Sequence, residues 1–454
     1  MTTTDVGGPA AAARVAPLSL NQEFNSLFDG GGDDGPFGCR NHAVGGWRVT
    51  GGPVDPDVLR DALLDVVTRH ESLRTRIAGP PDDRYQEILP PSPVRLDVRD
   101  VPAVPGASRA ELAETLLHEI ETETISAYEA PFLRAVLARF DDRDAVLVLM
   151  GHHLSVDGQS LAVIIRDLAN RYAARTGHSA PDLPAAPQYR EYGIWEREAA
   201  GSDAAREYWR RRLDGARFTA IPTDMPRSSG RPESTARHRF LIPADVVSAI
   251  DRMARANRAT RFMAMAAIYQ LLVHRLTGVT DVVMATFTPG RGGGLFDETV
   301  GSLYNLVPLR TDLTGCTSYE DVLQRTRRTC LEAFSHDIPT IQIFAEAPHL
   351  MDPAMTDNAT AMVLESVPTN PVVDAPGDLR LVRITRLLRS QELSSAVPDG
   401  ALWDVNKDPS GDAIGAVTYK RNLFREDTIA SMAAEFGEIA RVFSSRPSAS
   451  PGLI

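Results

Sequence analysis

Cysteine is scarce, with three in 454 residues, and that scarcity excludes two structural devices. Cys39, Cys316 and Cys330 stand far apart without CxxC spacing, so neither a disulfide framework nor a cysteine-built zinc site is expected. Long apolar runs are missing too, and nothing approaches the ~20 residues that cross a bilayer. The opening MTTTDVGGPAAAARVAP lacks the apolar centre of a secretory signal. Residues 1–16 read as a disordered arm, and a cytoplasmic protein with no membrane partner is expected. An excess of positive charge is also absent: the net charge of −12 argues against general nucleic-acid binding, which needs a basic face. Arg206, Arg210, Arg211 and Arg212 do cluster within about two helical turns. A solvated helix face is the ordinary reading of such a run, and a docking site for an acidic partner is the alternative. No GxxxxGK[ST] loop occurs, which excludes ATP activation on the chain itself. No GxSxG elbow occurs either, which counts against an α/β-hydrolase. The GRGGG run at 290–294 lacks the strand–helix context of a dinucleotide loop.

What is present is ordinary in bulk, with 43% hydrophobic and 24% charged residues, as in globular proteins generally. The length exceeds one hydrophobic core, so two lobes are expected. No repeat of 20–50 residues is visible. Residues 57–69 carry Leu59, Leu63, Val66 and Val67 at helical spacing, and 109–126 form a second amphipathic pattern. AVLVLM at 145–150 has the length and composition of a buried strand. Residues 159–172 follow as a helix with Leu161, Ile164, Ile165, Leu168 and Tyr172 on one face. A Pro-, Ala- and Gly-rich stretch at 176–187 reads as a linker. Helical patterns resume at 244–256 and 261–276, and a strand is expected at 279–287. A short apolar stretch at Leu306, Val307 and Leu309 and a strand at 415–419 precede a C-terminal helix. The fold class is α/β, with lobes at 17–180 and 181–454.

The chemistry concentrates in Gly151-His152-His153-Leu154-Ser155-Val156-Asp157-Gly158, where a buried strand ends and a helix begins. Such junctions present side chains on a rigid support. Gly158 is expected to permit a tight turn. Three readings compete. His153 faces a reaction centre while an arginine holds Asp157 inward; or His152, His153 and Asp157 bind a metal, which the flanking glycines disfavour; or all three are satisfied polar groups in a turn.

HHLSVDG resembles the HHxxxDG signature of the condensation superfamily of nonribosomal peptide synthetases. Further segments resemble the family's other motifs in the same order. Residues 69–75, RHESLRT, resemble RHExLRT, and 189–195, YREYGIW, resemble YxDYAVW with Glu191 in place of aspartate. VGSLYN at 300–305 resembles VGxFVN, with Leu303 and Tyr304 replacing Phe and Val. HDIP at 336–339 resembles QDxPF, and Arg421-Asn422-Leu423 resembles RNPL. The first motif is degraded, since PLSLNQ at 17–22 keeps only its Ser and Gln. The resemblance spans residues 17–424. It implies two chloramphenicol-acetyltransferase-like lobes in a V-shaped pseudo-dimer, with the active site in a tunnel between them.

The resemblance also implies roles. His153 is the catalytic candidate: a neutral imidazole, of reference pKa ~6.5, can accept a proton from an attacking amine or hydroxyl, or can orient that nucleophile. His152 shapes the loop. Asp157 pairs with an arginine, with Arg291 as first choice and Arg69 or Arg74 as alternatives. Gly158 lets a backbone N–H approach a thioester carbonyl at a helix start. Asn305 either lines the tunnel or makes a structural hydrogen bond. DGQSL at 157–161 faintly resembles a carrier attachment site. No carrier or adenylation pattern is found, so the donor is expected on the phosphopantetheine of a separate peptidyl or acyl carrier protein. No bound cofactor and no metal are expected, and the acceptor is expected to be a small soluble molecule. The expected activity is that of a freestanding condensation enzyme forming an amide or ester in natural-product biosynthesis, as some relatives do in enediyne assembly. An epimerisation-type domain and a silent carrier-recruitment module are the rivals.

Overall fold

The computed structural model describes residues 14–453 apart from 34, 200, 367–371, 374, 375, 396, 398 and 399. The expected arm falls mostly outside that range. Its last residues do not fit the expectation, because Arg14–Pro17 forms a strand paired antiparallel with Tyr85–Ile88.

Two large mixed sheets organise the chain. The first has six strands in the order Val372–Val373, Arg380–Arg383, His42–Thr50, Asp144–His152, Leu133–Asp141, Arg95–Asp100. Its central strand, Asp144–His152, contains the apolar run noted above, and both of its faces are covered. Val146, Val148 and Met150 pack towards the helix Arg109–Glu121, while Ala145, Leu147 and Leu149 pack with the helices Pro56–Arg69 and Gly158–Arg175. A strand buried on both faces needs no polar alternation, which is why this one reads as a continuous apolar run.

The second sheet has seven strands in the order Asn305–Asp312, Asp281–Thr288, Met362–Glu365, Ala401–Lys407, Ala413–Lys420, Thr235–Ile242, Gln391–Leu393. The helices Ala244–Ala256, Arg261–Thr277, Tyr319–Ser335 and Glu426–Ser445 supply much of its core, joined by Trp403, Val405, Met362 and Leu364 from the strands. The stretch 176–187 carries no regular element between the helices Gly158–Arg175 and Tyr189–Glu198.

A clean division at residue 180 does not describe the sheets. Val372–Val373 and Arg380–Arg383 leave the second half of the chain and extend the first sheet, where Arg380–Arg383 pairs with the Trp47–Thr50 end of His42–Thr50. Local periodicity cannot show this, because a short strand's partner is fixed by tertiary pairing and not by its own pattern. Among the described residues, no helix is long and apolar enough to cross a membrane.

Candidate active site

The loop after Asp144–His152 is shaped by a missing side chain. A Cβ on Gly151 would lie 2.6 Å from Val156 Cγ2, so the chain folds back over residue 151 only because glycine stands there. His152 turns inward and is fully buried. Its Nε2 lies 2.8 Å from Gly38 O, and its Nδ1 accepts from Leu154 N–H at 3.1 Å. One nitrogen donates and the other accepts, so the ring is neutral. Burial pushes its pKa down to about 4. Both ring nitrogens thus tie His152 to the backbone around the loop.

His153 is placed differently. Its backbone N–H donates to Asn41 O at 2.9 Å. Its ring stands edge-on to Tyr304 with centroids 6.4 Å apart, and the side chain keeps accessible surface. Nδ1 lies 3.1 Å from Val156 O. A carbonyl only accepts, so this contact assigns the proton to Nδ1 and leaves the Nε2 lone pair available. Nε2 has no hydrogen-bond partner among the described residues. Burial lowers the pKa below the ordinary histidine value, although Val156 O and Asp157 oppose the shift. The ring is therefore neutral at neutral pH.

Asp157 caps the helix Gly158–Arg175, and its Oδ1 accepts from Ser160 N–H at 2.7 Å. Arg291 donates through Nη2 to both carboxylate oxygens, at 2.7 and 3.0 Å, and Leu303 N–H reaches Oδ2 at 3.2 Å. Arg291 is thus the partner, as first expected. Its other amino group donates to Thr299 O at 2.8 Å and Phe296 O at 3.1 Å. Gly290 makes the arginine's position possible: φ is +63°, and a Cβ would fall 1.7 Å from Leu303 O.

The alternatives Arg69 and Arg74 serve elsewhere. Arg69 donates to Asp167 Oδ2 at 2.8 Å, beside His70. Arg74 donates to the carbonyls of Leu89 and Val67. Glu71 pairs with Arg190 at 2.8 Å. The RHESLRT segment therefore braces the helices Gly158–Arg175 and Tyr189–Glu198 and does not enter the reaction centre.

One expectation is corrected, and two readings that the sequence left open are narrowed. Gly158 opens its helix without positive φ, so it makes no tight turn. Ser160 is fully buried, with its hydroxyl 2.8 Å from Asp157 Oδ1, 2.9 Å from Gly301 O and 3.0 Å from Gly301 N. It cannot be a carrier attachment site and is instead a second tie between the loop and residue 301. Asn305 donates to Asp337 Oδ1 and Ile338 O at 2.6 and 2.7 Å, and accepts from Thr340 N–H at 2.7 Å. Its amide is fully used, so it clamps structure and leaves nothing for a substrate. Of the arginine cluster, Arg206, Arg210 and Arg211 pair with Glu207 or Glu346, which is the solvated-face reading. Sequence reasoning missed the ties through Leu303, Gly301 and Val156 O because backbone atoms leave no residue-type signal.

Among the described residues, no three His, Cys, Asp or Glu side chains cluster in a way that would hold a metal ion. The family profile described as "Condensation domain" matches residues 48–450. SgcC5 protein from Streptomyces globisporus, solved in complex with (R)-(-)-1-(2-naphthyl)-1,2-ethanediol and sucrose, superposes with a TM-score of 0.92 at 44% identity, over 96% of this chain and 100% of that one. Phosphinothricin tripeptide synthetase PhsC of Streptomyces viridochromogenes is 30% identical over 87% of this chain, which spans 36% of that protein. The CymA synthetase of Salinispora arenicola, described as a probable non-canonical nonribosomal peptide synthetase, is 32% identical over 97% of this chain, which spans 6% of its length. The first condensation domain of the CDA synthetase shares the fold, with a TM-score of 0.73 at 17% identity. The α/β architecture is that of condensation domains, a pseudo-dimer of two chloramphenicol-acetyltransferase-like lobes, and the chain belongs to the condensation-domain family.

Proposed function

We propose that the protein transfers an acyl or aminoacyl group from the phosphopantetheine thioester of a separate carrier protein to the hydroxyl or amine of a small soluble acceptor, in natural-product assembly. The observation that carries this reading is the His153 ring, whose Nδ1 is tied to Val156 O and whose Nε2 is left unpartnered. In this reading Nε2 takes the acceptor's proton as its oxygen or nitrogen attacks the thioester carbonyl. The C–S bond then breaks, and the pantetheine thiolate recovers a proton. The helix start at Gly158 supplies backbone N–H groups where the carbonyl oxygen gains charge. A tunnel between the lobes would admit donor and acceptor from opposite faces. The aryl diol with which SgcC5 was solved supports an alcohol as the acceptor, and hence an ester as the product.

The test is single-turnover acyl transfer from a loaded carrier protein to an aryl-ethanediol or aryl-ethanolamine, with wild type and His153→Ala. Loss of the imidazole should slow transfer about 10²–10⁴-fold with the melting temperature little changed. A well-folded wild-type protein that binds the carrier yet transfers nothing would replace this reading with the recruitment module. Normal rates in His153→Ala would remove the base and leave positioning as the source of catalysis.

A further inference from the structure

Inside the first lobe, away from the loop that carries His153, lies a cavity of about 220 Å³. Packed interiors leave few voids larger than a water molecule, so a space of this size against a central sheet is a feature to explain. Its floor is apolar: Val49, Leu137, Leu147 and Leu168 are all buried, and they close it from the sheet and from the helix Gly158–Arg175. Its roof is the segment 376–381, which arrives from the second half of the chain and is held at two points. Leu381 pairs with Val49 in the ladder, and Asp378 O approaches Gly51 so closely that a Cβ there would fall 1.9 Å away. Gly51 also has φ +112°, so only glycine both makes this turn and admits the roof. The mouth lies at Thr176, His178 and Gly377, which are exposed.

One polar side chain of the wall is only half used. Tyr172 is 7% exposed and its hydroxyl accepts from Asp55 N–H at 2.8 Å. Asp55 directly follows Pro53 and Val54, which also line the cavity, so the hydroxyl stands at the cavity wall. Its own O–H proton has no acceptor among the described residues. A phenol both donates and accepts, and buried polar groups are normally satisfied, so this proton is open to an oxygen inside. Asp378 and His178 are the other titratable groups of the lining, and both are exposed at the rim. Among the described residues no lysine or arginine lines the space, so an anionic ligand would find no counter-charge. Apolar cavities of comparable size stay dry and take up small apolar molecules. Tyr172 stands fourteen residues beyond Gly158 on one helix, about 21 Å at 1.5 Å per residue, which separates this space from the surroundings of His153.

We propose that this cavity is a second small-molecule site, taking a neutral apolar ligand of about ten non-hydrogen atoms, the content of such a space at ordinary packing density, with one oxygen that accepts from Tyr172 O–H. The ligand's apolar body fills the void between the sheet and the helix Gly158–Arg175. Because the roof runs directly into the strand Arg380–Arg383, an occupant also fastens the strand by which the second half of the chain joins the first sheet. The site needs no step of acyl transfer and does not depend on the condensation reading.

The test uses the full chain and two isosteric probes, acetophenone and α-methylstyrene, which differ in a carbonyl oxygen against a methylene group. Affinities come from ligand-detected NMR titration, and melting curves are recorded in parallel. Acetophenone should bind about threefold to tenfold more tightly, the range of one neutral hydrogen bond, and should raise the melting temperature as its concentration rises. Tyr172→Phe keeps the ring in the wall and removes the proton, so it should bring the two affinities together while both probes still bind. Ala169 also lines the cavity, and Ala169→Leu puts three more carbon atoms into it. That variant should keep or raise the melting temperature, since the carbons enter empty space, and should weaken both probes about tenfold or more. It carries the test if Tyr172→Phe does not fold. Equal wild-type affinities for the two probes, or a preference for acetophenone that survives Tyr172→Phe, would overturn the proposal. So would undiminished binding in Ala169→Leu, which would place the probes elsewhere, as beside His153, and so would a fall in its melting temperature of several degrees, which would show that the space is not there.

Discussion

Replacing Asp157 by alanine should weaken the fold more than it alters any atom that touches substrate. The carboxylate accepts from Ser160 N–H, from the Arg291 guanidinium twice and from Leu303 N–H. Its removal leaves the Arg291 side chain, 3% exposed, with Nη2 stranded next to an Nε that already lacks a partner. Breaking a buried pair from one side costs about 3–5 kcal/mol, and the lost helix cap of about 1 kcal/mol overlaps with that figure. With unfolding entropy of about 2.1 cal/mol/K per residue, a cooperative unit of 454 residues loses roughly 1 °C per kcal/mol. The expected drop in Tm is therefore about 3–5 °C, read by calorimetry. Asp157→Asn keeps a carbonyl cap acceptor and should lose less. Asp157→Ala combined with Arg291→Leu removes the stranded cation and should recover part of the loss, so the two substitutions are not additive. A drop below about 1 °C in Asp157→Ala, or strict additivity in the double variant, would refute the buried-pair account.

Three further outcomes follow from the same geometry. Burial holds the His153 pKa below its ordinary 6.5; with the neutral ring as the proposed base, kcat/KM should stay level from pH 8 to 6.5 and fall only below, and an acid limb centred above 6.5 would contradict this. Acyl transfer should survive exhaustive chelation, and activity lost to chelator and restored by zinc would reinstate the metal reading. Glu196 is buried, and that burial raises its pKa to about 7; ionising it in the native state is unfavourable, so stability should decline as pH rises from about 4.5 to 7 by roughly 3 kcal/mol. Glu196→Gln should flatten that decline in denaturant melts across the same range, and an unchanged slope would show that other groups cause it.

The legible parts of the chain were those written in side-chain pattern. The apolar run before the catalytic loop predicted Asp144–His152, and the spacing of Leu161, Ile164, Ile165 and Leu168 predicted Gly158–Arg175. The helix expected over 109–126 stops at Glu121, where Thr122 closes the last turn. The arginine for Asp157 was found by resemblance, since Arg291 lies 134 residues away and no local rule connects them. What stayed hidden was held by backbone atoms or by distant pairing. Val156 O sets the tautomer of His153, Leu303 N–H and Gly301 bind the loop, and Arg380–Arg383 joins a sheet begun more than three hundred residues earlier. The two readings of Asn305 stay unresolved in the sequence for a related reason: a tunnel-lining amide cannot be told from a structural clamp until its partners, among them Thr340 at the start of the Thr340–Glu346 helix, are known.

The positions of Asp157 and His153 also decide what kind of pair they are. In an acid–base–nucleophile relay the carboxylate hydrogen-bonds the imidazole and steadies the cation that forms on it. Here His153 Nδ1 meets the carbonyl of Val156, and the Asp157 oxygens are engaged by Ser160, Arg291 and Leu303. The carboxylate can act on the ring only through its field, which opposes the lowering caused by burial, and through the loop it holds. Because two of its three partners come from residues beyond 290, the loop that carries His153 keeps its shape only while the second lobe stays docked. Under the proposed transfer, with His153 as its base, competence and lobe docking are one condition, and a substitution that loosens Arg291 or Gly301 should cost activity without touching the His153 ring.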